Sequence, residues 1–241
     1  MNYLIKSFKA FNKTDITIWS VSIISLIASF VISGGDDLLT LISSLIGVTS
    51  LIFIAKGNVI GQFLMIVFAV MYSVVSFKFH YYGEVATYLG MATPSAFITA
   101  LAWMKNQYND TQVAVAEVKK RGWIILTAIT VLVTAVFYFI LEALNTPNLF
   151  FSTVSVTTSF LAAGLMFLRS RHYAIGYMSN DMILVILWIL ATIEEISYLP
   201  MVINFSIFFI NDLYGFISWS KMEKNQQSVE LSQADCNMQS N

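Results

Sequence analysis

The residues able to do chemistry are concentrated on one apolar stretch. Between Tyr177 and Thr192 an otherwise aliphatic run carries a phenol, an amide, a carboxyl, an indole and a hydroxyl, on Tyr177, Asn180, Asp181, Trp188 and Thr192. On an α-helix, steps of four and seven residues nearly restore direction, so Tyr177, Asp181, Trp188 and Thr192 share one stripe. Facing lipid would cost such a stripe kilocalories, so it is expected to face protein or a watery cavity. Further on, Asn204, Asn211 and Gly215 form a second stripe, with Asp212 beside it; earlier, Gln62, Met65, Tyr72, Ser76 and Tyr88 interrupt other apolar runs.

We read Trp188, Asp181, Thr192, Tyr177, Asn180, Asn204, Asn211, Tyr72, Gln62 and Tyr88 as one substrate-binding set. Indole and phenol faces suit a ring, and a desolvated cationic ring gains about 2 kcal/mol from one. Amides and carboxylates suit a ligand's amide and hydroxyl groups. Each Asn or Gln alone would serve equally as glue between helices, at roughly 0.6 kcal/mol. Trp103, Trp123 and Trp219 fall at the ends of apolar runs and read as interfacial anchors. Pro94, deep in its run, must loosen the hydrogen-bond ladder there and reads as a hinge.

Other chemistry is excluded. His80 and His172 lie near run ends and the one cysteine, Cys236, lies in a polar tail, so neither a metal site nor an intramolecular disulfide is expected. No Gly-rich nucleotide loop and no enzyme motif occurs. We expect no cofactor, no catalysis, no nucleic-acid binding and no coupling to ATP.

The elements that must position these residues are membrane helices. Of the 241 residues, 57% are hydrophobic and 11% charged, against roughly 25% charged in soluble domains. Long apolar runs at 16–34, 39–55, 59–78, 84–104, 122–144, 149–168, 176–196 and 201–220 predict eight spans. The lysines before the first run resemble a signal peptide's, yet the run is long enough to span a bilayer, so an uncleaved helix is expected. With alternating spans and the N-terminus inside, twelve of the 13 Lys and Arg residues fall on the cytoplasmic side, leaving Lys78 outside. Asp36, Asp37, Glu84, Glu142, Glu194 and Glu195 gather at the outer ends, which is the positive-inside pattern with both termini cytoplasmic.

A repeat underlies this order. Shifting the sequence by 116 residues places Tyr72 on Trp188, Tyr82 on Tyr198, Trp103 on Trp219 and Lys105 on Lys221. The fold class expected is an all-α integral membrane protein: an extra N-terminal span, then a 3+1+3 parallel-repeat bundle of the SWEET kind, with its site at the repeat interface. The divisions are 1–35, an N-terminal segment and span; 36–104, the first triplet; 105–148, a loop and linker helix; 149–222, the second triplet; and 223–241, a disordered tail.

The run Ala55-Lys56-Gly57-Asn58-Val59-Ile60-Gly61, then Tyr72 and Tyr82-Gly83-Glu84, resembles the first half of the PnuC family of nicotinamide riboside transporters. Arg169-Ser170-Arg171-His172-Tyr173, the Asn180–Trp188 helix and Tyr214-Gly215-Phe216-Ile217-Ser218-Trp219-Ser220-Lys221 resemble its second half. The resemblance implies a multi-pass protein of the bacterial inner membrane that imports nicotinamide riboside, a form of vitamin B3, by facilitated diffusion. A cytoplasmic riboside kinase would trap the substrate, and association into homo-oligomers is compatible with a carrier of this size. The family's Trp-x-x-Trp-x-x-x-Asn pattern falls here on Ala174, Tyr177 and Asp181, so both tryptophans are missing. A carrier of thiamine, riboflavin or a deoxynucleoside on the same fold, and a non-transporting receptor or scaffold, stay open beside the main reading.

Overall fold

A computed structural model describes the backbone of residues 3–32, 34, 38–78, 80–194 and 196–239, and side chains as far as 233 apart from 197. Asp36, Asp37 and Glu195, counted above among the acidic outer ends, lie outside the described residues. The helices are α1 (Tyr3–Lys9), α2 (Lys13–Ile32), α3 (Leu38–Ala55), α4 (Val59–Lys78), α5 (Tyr82–Thr87), α6 (Thr93–Lys105), α7 (Lys120–Ala143), α8 (Leu149–Phe167), α9 (Tyr173–Glu194) and α10 (Leu199–Gln239). A π-helical turn, Tyr88–Ala92, joins α5 to α6 into one span. Eight helices among the described residues are long and apolar enough to cross a membrane. Lipid offers a peptide group no partner, and a helix satisfies its own.

Helices α3, α4 and α5–α6 make one triplet, and α8, α9 and α10 the other. They join crosswise: α10 packs on α3 and α6 on α8, while α7 lies outside against α8 and α5. The extra helix α2 covers α3 and α10. The first helix of each triplet ends in the same hydrogen-bonded turn. Gly57 N–H donates to Ile54 C=O (2.8 Å) and Asn58 N–H to Phe53 C=O (3.0 Å); Arg169 N–H donates to Met166 C=O (3.0 Å) and Ser170 N–H to Leu165 C=O (2.9 Å). This closure needs a left-handed residue, which Gly57 supplies without strain at φ +65° and Arg169 adopts at φ +61°.

The polar segment 106–119 laces the two turns together. Val113 N–H donates to Gly57 C=O (2.9 Å) and Ala116 N–H to Arg169 C=O (3.0 Å). That lacing reaches α10 and corrects the expectation of a disordered tail, because the helix continues unbroken to Gln239. Val115 N–H donates to Gln226 Oε1 (2.8 Å), Gln226 Nε2 donates to Val113 C=O (3.1 Å), and Glu223 pairs with Arg171 (2.9 Å). A polar sequence too weak to nucleate a helix extends one that is already nucleated and pinned, since each added residue gains a bond without a new nucleus.

The tryptophans at the basic ends are likewise not interfacial. Trp103 and Trp219 are both 0% exposed. Their rings lie 5.4 Å apart, and Trp103 Nε1 donates to Met166 C=O (3.1 Å) of one triplet while Trp219 Nε1 donates to Ile54 C=O (2.8 Å) of the other. Trp123 is half-buried with its ring against His172.

The N-terminal segment is bolted to the same end of the bundle. Asn58 Nδ2 donates to Ser7 Oγ (2.9 Å), and Lys6 pairs with Asp110, holding that exposed carboxyl below the usual carboxylate range. Asp15, fully buried, accepts from Lys56 Nζ (3.1 Å), from the Tyr214 hydroxyl and from Asn12 N–H (2.6 Å). Breaking a buried ion pair from one side strands the other charge, at about 3–5 kcal/mol. Lys56→Met should therefore destabilise the protein by about 3 kcal/mol, the low end because Asp15 keeps its other two donors. Thermal unfolding in detergent checks this, and an unchanged midpoint would show that the pair carries no stability.

Candidate functional site

A cavity of about 70 Å³ lies between the triplets, room for a few waters. Both triplets wall it: α4 offers Gln62, Met65 and Phe68, α8 offers Ser155, Ser159, Ala163 and Met166, and α9 offers Tyr177, Asn180, Asp181 and Leu184. Helix α10 adds Phe205, Phe208 and Asp212. The longest wall is the span α5–α6, with Glu84, Thr87, Tyr88, Met91, Ala92, Ser95, Ala96 and Thr99. Its π-turn has a local cause. Pro94 has no N–H to offer the carbonyl four residues back, and Thr93 N–H reaches five back to Tyr88 C=O instead, with its hydroxyl on the same oxygen (2.8 Å). Turns of this kind recur at functional sites, and here the widened turn brings Tyr88, Met91 and Ala92 onto the cavity wall.

Among the described residues three carboxyl groups, Glu84, Asp181 and Asp212, line this space, and no Lys, Arg or His does. Asp181 and Asp212 meet carboxyl to carboxyl, and Asp181 Oδ2 has no hydrogen-bond partner. Asn180 is held by two hydroxyls on its Oδ1, from Ser155 (2.9 Å) and Thr158 (3.2 Å), which leaves its NH₂ as the group it offers to a ligand. Gln62 Nε2 donates only to the weak acceptor Met166 Sδ (2.9 Å), so its carbonyl oxygen is available. The Tyr88 ring packs at 4.4 Å on Tyr72 behind it. The arrangement can bind a cationic, flat ligand rich in hydrogen-bond donors, and it offers an anion no counter-charge among the described residues.

A protein-family model described as nicotinamide mononucleotide transporter matches residues 37–221. The chain belongs to this family. It is 24% identical over 213 residues to the nicotinamide riboside transporter PnuC of Neisseria mucosa, covering 86% of this chain and 81% of that protein. It is 26% identical over 192 residues to the nicotinamide riboside transporter PnuC of Haemophilus influenzae, covering 78% and 82%. Among solved structures it is similar to the crystal structure of the vitamin B3 transporter PnuC, with a TM-score of 0.78 at 23% identity over 90% of this chain and 94% of that one. The fold is thus that of a membrane transporter, not of an enzyme.

Within this transporter fold the ten residues read from the sequence divide in two. Asp181, Tyr177, Asn180, Gln62 and Tyr88 line the cavity. Trp188, Thr192, Tyr72, Asn204 and Asn211 do not. The stripe from Tyr177 to Thr192 is about 22 Å long, and the cavity occupies only its first turns. Beyond them Trp188 is buried against Tyr81 (5.0 Å) and Tyr198 (5.8 Å), and the Thr192 hydroxyl bonds back to Trp188 C=O (2.7 Å). Asn211 Nδ2 is bound to Ser22 Oγ of α2 (3.0 Å) and to Ile207 C=O (2.9 Å). Ala174, where the resemblance places a tryptophan, is buried near Gly215 rather than on the cavity wall.

Glu84 corrects the charge count: it is drawn inward as a wall residue, 6% exposed, instead of marking an outer surface. Ser155 and Ser159 were also missed, although Ser152, Ser155, Ser159, Ala163 and Met166 recur at helical spacing and so announce a small, polar inward face. Below the cavity, the two indole bonds close the basic end. Trp103→Phe and Trp219→Phe each remove one buried N–H···O=C bond and leave a carbonyl short of a donor, so each should cost about 1 kcal/mol. Equal losses in thermal unfolding would mark the ties as equivalent; a loss confined to one would show that the closure rests on one triplet.

Proposed function

We propose that this chain imports nicotinamide riboside by facilitated diffusion, holding it mid-membrane between two triplets that are parallel repeats. The observation that carries the reading is the cavity lined, among the described residues, by three carboxyl groups, amides and aromatic rings without one basic side chain. Nicotinamide riboside presents a pyridinium cation, a carboxamide and ribose hydroxyls. Aromatic faces and carboxylates suit the first, Asn180 and Gln62 the second, and the serine hydroxyls and remaining carboxyl oxygens the third. The phosphate of the mononucleotide would meet acidic walls and no counter-charge, which favours the unphosphorylated riboside. The walls must spread to admit it, as carriers do when they alternate access.

The remaining setting follows the same reading. The lysine- and arginine-rich end is cytoplasmic and carries both termini, the membrane is a bacterial inner membrane, and a cytoplasmic riboside kinase draws the substrate inward by phosphorylating it. Absence of a nucleotide-binding motif from the sequence supports a carrier driven by its substrate gradient. Homo-oligomers are compatible with the apolar outer faces, of which α7 shows the broadest in Ile124, Ile125, Val131, Leu132 and Phe139.

Thiamine is the second reading, and a specific observation favours it. Neither tryptophan of the family pattern stands at Ala174 or Tyr177, and three carboxyls face the site where a singly charged ring needs one. A thiazolium with an added aminopyrimidine would use more of them.

Calorimetric titration of the purified protein with nicotinamide riboside, nicotinamide, the mononucleotide and thiamine decides between them. Micromolar binding of the riboside, with the mononucleotide at least a hundredfold weaker, is the expected result. Tight thiamine binding with a weak riboside would replace the main reading by the second; equal affinity for the mononucleotide would sink the charge argument. Asp181→Asn and Glu84→Gln should each weaken the bound cation by about tenfold, or about 1.4 kcal/mol, whereas Glu142→Gln, far along the exposed end of α7, should leave affinity unchanged.

A further inference from the structure

The end of the bundle opposite the indole ties is closed by aromatic side chains too, yet its polar atoms are in a different state. Tyr72, Ser76, Trp188 and Asn204 are each 2% exposed or less. Among the described residues, Tyr72 Oη, Ser76 Oγ, Trp188 Nε1 and both amide atoms of Asn204 have no hydrogen-bond partner. Tyr72 Oη faces Ser76 Oγ and Trp188 Nε1 without closing a bond to either. Phe205, next in sequence to Asn204, sets its ring edge-on to Tyr72 at 6.0 Å, and Tyr72 lies 4.4 Å from Tyr88 on the cavity wall. Tyr72, Ser76 and Trp188 are therefore in the layer directly beyond the cavity, drawn from α4 and α9, and Asn204 stands on α10 one residue from the Phe205 that packs on Tyr72. At the other end the same residue type, tryptophan, has both indole N–H groups bonded to backbone.

Burying donors and acceptors unpaired is costly, and more so in a bundle that lipid surrounds. A group that satisfies these atoms for part of the working cycle would recover that cost. The chemistry of the cluster describes that group. Asn204 can pair both its C=O and its NH₂ with a primary carboxamide, Trp188 can donate to an oxygen, Tyr72 and Ser76 can accept from hydroxyls, and the rings offer flat faces. Resting on the carrier reading above, we propose that Tyr72, Ser76, Trp188 and Asn204 form an outer subsite. A carboxamide-bearing aromatic nucleoside approaching from the acidic end pairs with them as the aromatic layer parts, and then passes Tyr88 into the carboxyl-lined cavity.

A subsite crossed on the way in lowers the barrier for passage in both directions without touching the ligand's final pose. Removing its polar atoms also relieves the closed layer of groups it leaves unpaired, which keeps it shut longer. Rates of binding and release of labelled nicotinamide riboside, measured by scintillation proximity on nanodisc-embedded full-length protein, test this. Tyr72→Phe and Trp188→Phe should each slow association and dissociation about fivefold or more, leave Kd within about twofold, and not lower the thermal midpoint. Asp181→Asn, in the cavity, should instead raise Kd. Unchanged rates in folded Tyr72→Phe would overturn the subsite, as would a weakened Kd at an unchanged association rate, which would place these side chains against the bound ligand. Tyr72→Phe deletes a single unbonded oxygen and decides the matter if Trp188→Phe fails to fold. If the wild-type protein binds no riboside at all, the carrier reading itself falls, and the subsite with it.

Discussion

A carboxyl group cannot be left against hydrocarbon, and among the described residues the four least exposed are enclosed by this bundle. Asp15, Glu84, Asp181 and Asp212 are each 6% exposed or less. Asp15 is accommodated by a lysine, a tyrosine hydroxyl and a backbone N–H where the N-terminal helices meet the turn after α3. The other three have no cation within their cavity and depend on enclosure by two triplets that neither could provide alone. Much of the architecture follows from that need: α10 crosses to α3, α6 crosses to α8, and the polar loop binds the turns of both triplets to one another.

The enclosure is asymmetric. At the basic end, the two indoles lie against each other, buried, and each donates its N–H to a carbonyl near the end of the other triplet's first helix. At the acidic end, an aromatic layer holds hydroxyl and indole groups that nothing among the described residues satisfies. Packing alone would make the two ends equivalent. Hydrogen bonding makes one a firm closure and the other a layer whose polar atoms are better served when something enters it. Under the carrier reading proposed above, such a difference would set which end yields more readily.

The sequence reading and the structure agree wherever a property depends on composition along a single helix. The eight spans, their order and their approximate ends were legible because each apolar run satisfies its own backbone and is punctuated by turn residues such as Gly57-Asn58. The inward stripe of α9 was legible because polar groups at helical spacing have one face to share. Disagreement arises wherever a second element decides. Trp103 and Trp219 sit at span ends like interfacial anchors, but a partner carbonyl buries each. Glu84 stands beside a span end, but the π-turn and its neighbours take it inside. The polar tail has no periodicity to reveal it, but Gln226 and Glu223 pin its first turns.

Residue types and spacing by themselves determined that this is a bundle of membrane helices with a basic end, an acidic end and polar and aromatic groups among its apolar spans. They did so because lipid imposes on every span the same one-dimensional demand for apolarity, and every departure from it stands out. Which departures share a cavity was decided only in three dimensions. Asp181 and Trp188 belong to one stripe of one helix, yet the helices packed around it leave the carboxyl on a cavity wall and seal the indole among rings. A helix carries its polar groups along its whole length, whereas a cavity exists only where neighbouring helices fail to meet.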